Sequence, residues 1–93
     1  MAEISQDGRS QRARQRRLER RQQILEAAVR VFASRGFHAT GVSDIVEAAA
    51  VARGTFYLYF PSKLAVFEEL LDQVTRAVEE AITRVEVGPG APP

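Results

Sequence analysis

Arg53, Thr55, Tyr57, Tyr59 and Lys63 crowd into one short stretch, and all are types that bind phosphate or read the edge of a base. A guanidinium offers a planar fork of donors. A threonine or tyrosine hydroxyl can donate to a phosphate oxygen, and a tyrosine ring edge can lie against a thymine methyl. The spacing sorts these residues from their neighbours. Phe56 and Phe60 are four apart and share a helical face, which their apolar rings assign to a core. Arg53 and Tyr57, also four apart, fall on a different face, and Thr55, Leu58 and Tyr59 complete the outer surface. Gly54 adds no side chain, so a partner can approach the backbone closely there.

These residues need a scaffold, and the run from Gly36 to Lys63 supplies one. It reads as two short helices joined by a tight turn, the layout of a helix-turn-helix whose second helix enters a DNA major groove. Val42, Ile45, Val46 and Ala49 form the apolar face of the first of them. Gly41 stands at its N-cap position, and Asp44 lies in its first turn, where the helix dipole favours a carboxylate. The second runs from Arg53 to Phe60 and stops before Pro61. Upstream, Leu18, Ile24, Leu25, Ala28, Val31 and Phe32 recur near helical spacing. That helix is expected to start between Arg14 and Arg20 and to end at Gly36, a natural left-handed residue after a helix.

The fold class expected is all-α: a three-helix, homeodomain-like helix-turn-helix head plus a long fourth helix. The divisions are a disordered basic arm over 1–15, the head over 16–60, a connecting helix over 61–87 and a linker over 88–93, where Gly88-Pro89-Gly90-Ala91-Pro92-Pro93 breaks regular structure. In the fourth helix Leu64, Phe67, Leu71, Val74, Val78, Ala81 and Val85 alternate three and four apart, a heptad-like apolar stripe. Three short helices can cover only its first half. The stripe calls either for a packing partner outside this sequence or for a dimer seam, and its alanine and valines favour the former.

Charge is distributed unevenly over the 93 residues. Residues 1–21 carry seven arginines against Glu3, Asp7 and Glu19, whereas residues 61–93 carry Lys63, Arg76 and Arg84 against six carboxylates. A basic end suggests a polyanionic partner. Arg16, Arg17 and Arg20 are the candidates there for contact with a duplex. With no cysteine, no thiolate site or disulfide can form, and His38, the sole histidine, has no companion to hold a metal with. Nothing resembles a catalytic triad, a phosphate loop or a paired-carboxylate site, so no catalytic residue, metal or cofactor is assigned and enzyme chemistry is not expected. There is no signal-peptide h-region or membrane-length apolar run. The competing class is a protein-interaction or membrane-surface module that uses the basic arm and the apolar fourth helix. The acidic balance of that helix argues against it.

The chain resembles the tetracycline-repressor (TetR/AcrR) family of bacterial transcription regulators over about Arg21 to Leu71. The resemblance rests on I-L-E-A-A with Val31-Phe32, then Gly36-Phe37, Thr40, Val42, Asp44-Ile45 and Ala48-Ala49, and above all on R-G-T-F-Y-L-Y-F-P-S-K from Arg53 to Lys63. It implies a head whose third helix reads a palindromic operator on double-stranded DNA, in a homodimer that usually represses. It also implies a small-molecule effector bound by a further helical domain that these residues do not contain, and a cytoplasmic location at the bacterial nucleoid. Carried over, base-edge and phosphate contacts come from Arg53, Gly54, Thr55, Tyr57, Leu58 and Tyr59, a phosphate contact from Lys63, and backbone proximity from Val42 and Ser43. Three departures stand out. Gly41 replaces a common threonine, Ala50 a turn glycine, and Ala52 a capping serine. Alanine in a left-handed turn costs about 1–2 kcal/mol.

Overall fold

In the computed structural model the backbone is described for residues 2–86 and the side chains for residues 8–85. The expected linker at 88–93 lies outside them. The order is α1 (Ala2–Arg35), α2 (Val42–Ala49), α3 (Arg53–Tyr59) and α4 (Lys63–Glu86), with no strand among the described residues. The all-α class and the four-helix order therefore hold. None of these helices is long and apolar enough to cross a membrane.

The head closes around Ile24, Leu25, Ala27 and Ala28 of α1, Ile45 and Ala49 of α2, Phe56 and Phe60, and Val66 of α4, all buried. Phe56 and Phe60 pack ring against ring at 5.9 Å, on the face their spacing assigns. A second aromatic cluster of Phe32, Phe37 and Phe67, with centroids 5.1–5.8 Å apart, fills the space under the α1–α2 loop. Leu18 departs from expectation, being half exposed rather than in the core. So does the inward face of α4. Val66 is buried and Leu70 packs on the core, while Leu64, Leu71, Val74, Val78 and Val85 of the heptad stripe, with Ile82, stay exposed.

The start of α1 also differs. The helix extends back to Ala2, through the segment read as a disordered arm. Its polar half has little to bury, but arginine, glutamine and alanine are good helix formers, and the later, buried half supplies the nucleus from which it extends. Gln15 donates to Glu19 one turn on, at 3.1 Å.

The turn between α2 and α3 shows how the missing glycine is tolerated. Ala50 adopts φ 58°, ψ 43°, the left-handed region. The last four carbonyls of α2, those of Val46, Glu47, Ala48 and Ala49, would otherwise lack partners. Here Val51 N–H donates to Val46 O (3.1 Å) and Ala50 N–H to Glu47 O (3.2 Å), the Schellman arrangement. Arg30 reaches Ala48 O (3.4 Å) and Gln23 reaches Ala49 O (2.6 Å), both from α1. All four are satisfied, two of them by side chains from another helix. Replacing Ala50 with glycine removes the left-handed strain at the cost of some unfolded-state entropy, so Ala50→Gly is expected to stabilise the head by up to about 1 kcal/mol. A rise in the urea midpoint checks this, and a fall would refute it.

The other helix ends follow the same logic. Gly36 takes φ 85° after α1. Buried Thr40 donates its hydroxyl to Gly36 O at 2.7 Å. Asp44 accepts from Gly41 N–H at 2.8 Å and pairs with Arg35 at 3.2 Å, so α2 is capped although Gly41 has no side chain. Ala52 provides no side-chain cap, and α3 begins without one.

Candidate nucleic-acid interface

Four rows of residues, each spaced i, i+4, run around the two turns of α3. Phe56 and Phe60 form the buried row. Opposite them lie Gly54 and Leu58, with Gly54 exposed and Leu58 81% exposed. Arg53 and Tyr57 make one flank, with Tyr57 47% exposed, and Thr55 and Tyr59 make the other, half-buried. Leu58 stands open to solvent at this tip, and a leucine there can lie against a thymine methyl. Tyr57 stands edge-on to Phe56 at 5.3 Å, which fixes its ring while leaving its far edge in solvent.

The two flanks meet different neighbours. Thr55 and Tyr59 line a shallow cleft of about 400 Å³ together with Ala13, Arg16, Arg17 and Arg20 of α1. Three arginines and two hydroxyl-bearing residues thus line one cleft, and no carboxylate lines it. Arg16, Arg17 and Arg20, the candidates of the basic end, are carried by α1 beside the outward rows of α3. Arg21, one residue further on, turns the other way. It pairs with Glu69 at 3.2 Å, lies over the Phe60 ring at 4.8 Å, and so ties α1 to α4.

On the opposite flank, the Arg53 guanidinium donates to the Ser43 hydroxyl, joining the first residue of α3 to the first turn of α2. The sequence reading placed both residues near DNA but not against each other, and nothing in their spacing signals the pairing.

Lys63, expected to contact phosphate, is engaged within the head. Its ammonium donates to Phe37 O (2.7 Å), Thr40 O (2.8 Å) and His38 O (3.3 Å) and sits 4.3 Å from the Phe37 ring centroid. An ammonium has three protons, and all three are committed to the α1–α2 loop. Val42, expected with Ser43 near the DNA backbone, is half-buried and packs its side chain against the core. His38 stacks edge-on to Phe37 at 5.4 Å, and no group of residues among those described could hold a metal.

The family model for bacterial regulatory proteins of the tetR family matches residues 24–70, from the buried half of α1 through the start of α4. The chain belongs to the tetR family. This tetR-family head is 44% identical over 64 residues to the fatty acid metabolism regulator protein of Bacillus subtilis, covering 64% of this chain and 33% of that protein. It is 40% identical over 68 residues to the HTH-type transcriptional activator FasR of Mycolicibacterium smegmatis, covering 69% and 31%. A crystal structure described as a tetR family transcription regulator from Shewanella sp. PV-4 superposes with a TM-score of 0.68 at 38% identity, over 76% of this chain and 38% of that one. The head thus spans about a third of the length of these relatives. Its kinship is with transcriptional regulators.

Proposed function

We propose that this chain is the operator-reading head of a longer transcriptional regulator, a repressor released by a small-molecule effector and active as a homodimer on a palindromic site. The outward rows of α3 beside the arginine cleft of α1 carry this reading. Arg53, Gly54, Tyr57 and Leu58 face base edges. Arg16, Arg17 and Arg20, with Thr55 and Tyr59, hold the phosphate backbone alongside. The backbone amides of Val42 and Ser43 open α2 toward a phosphate, where the helix dipole favours an anion. The exposed row of Leu71, Val74, Val78, Ile82 and Val85 supports a further domain against α4, since that row is apolar and open. Repression is the usual mode of the family, and the relative from Mycolicibacterium smegmatis is named an activator. In this reading the protein works at the bacterial nucleoid, where its DNA partner lies.

The test is a titration of labelled duplex at several salt concentrations. Three phosphates neutralised by the arginine cleft give a slope of log affinity on log salt near −3, roughly a 40-fold loss between 50 and 200 mM. An affinity flat in salt would remove the reading.

A further inference from the structure

Arg53 occupies an unfavourable place for a cation. It is the first residue of α3, where the helix dipole is positive. Among the described residues no carboxylate pairs with it, and it is exposed. Its one side-chain partner is the Ser43 hydroxyl, reached across the turn from α2. That bond does little to bury or neutralise the charge. What it does is fix the direction of a long, flexible side chain. One of five guanidinium donors is taken by Ser43, and the exposed side chain stands at the N-terminus of α3, the part of a recognition helix that meets base edges.

We infer that Ser43 is a positioning residue that aims Arg53 at the Hoogsteen edge of a guanine, so that each operator half-site carries a G·C pair under the N-terminus of α3. The inference rests on the operator-reading role proposed above and adds both the base and the residue that enforces it. A planar fork matches the guanine O6 and N7 acceptors in two parallel hydrogen bonds, and no other base offers two acceptors on that edge. A fork free to swing contacts phosphate as readily as base. A fork pinned at one nitrogen keeps a single approach. The chemistry asked of the Ser43 hydroxyl is therefore acceptance of one hydrogen bond from Arg53.

Selection of duplexes from a random library by the purified 93-residue chain, followed by sequencing, tests this, with Ser43→Ala, Ser43→Thr, Arg53→Ala and the double variant run in parallel. The wild type is expected to fix one guanine per half-site. Arg53→Ala is expected to lose that preference, which is worth roughly 5- to 150-fold for a bidentate pair. Ser43→Ala is expected to lose much of it, and Ser43→Thr, which keeps the hydroxyl, to retain it. The double variant should discriminate no worse at that position than Arg53→Ala alone. The inference is overturned if Ser43→Ala selects the same guanine as strongly as the wild type. It is equally overturned if Ser43→Ala keeps the preference but weakens binding to the same extent on every sequence, since the hydroxyl then binds phosphate. A wild type that binds duplex but selects no base would overturn base reading by Arg53 as well. A wild type that binds no duplex would overturn the operator-reading role itself.

Discussion

Phe56→Ala is expected to unfold the head, whereas Tyr57→Ala, one residue later, is expected to leave it folded and weaken its grip on DNA. Phe56 is fully buried, in ring contact with Phe60 and Tyr57, at the point where α3 meets the core. Removing such a ring costs about 3–5 kcal/mol. A chain of this length holds only about 5–14 kcal/mol in total, so the variant loses a large part of its stability. Tyr57 is half exposed, and its loss uncovers only one edge of Phe56. Its expected cost falls on binding, tenfold or more if it anchors the duplex. Thermal melts beside duplex titrations separate the two. If Tyr57→Ala lowers the melting temperature as far as Phe56→Ala does, Tyr57 belongs to the core and the outward assignment of its row fails.

Lys63→Met is expected to destabilise the head by about 2–3 kcal/mol, because it leaves three loop carbonyls without a charged donor while keeping most of the side-chain bulk. For a domain of this size that corresponds to a fall in Tm on the order of 10–20 °C. The effect acts through the α1–α2 loop, since the ammonium joins the first residue of α4 to Phe37, His38 and Thr40. Binding measured per folded molecule should keep its salt slope. A variant that melts like the wild type but loses one unit of slope would show instead that Lys63 leaves the loop to hold a phosphate.

Much of the head was legible in the sequence because periodicity and helix punctuation agree there. Ile45, Ala49, Phe56 and Phe60 face inward as their spacing requires, and Gly36 takes the left-handed turn. The outward rows of α3 followed by exclusion once the inward row was known. The rest depended on partners distant in sequence. Lys63 looked like a phosphate ligand because its type suits one, and only the folded loop shows its protons already taken. Ala50 carries the left-handed strain its place in the turn implied, whereas the reach of Gln23 and Arg30 from α1 to the neighbouring carbonyls is invisible in a linear chain. The extent of α1 was misjudged because burial was demanded of a segment that helix propensity carries without it.

The closing of α2 by Gln23 and Arg30 bears on how the head comes together. These bonds span 26 and 18 residues, so they form only after α1 has docked. Until then α2 is a helix of eight residues with two open carbonyls and no apolar floor, far below the length at which an isolated helix persists in water. The helix-turn-helix is therefore not an autonomous folding unit. Its geometry depends on α1, which supplies both its apolar floor and the side chains that close it.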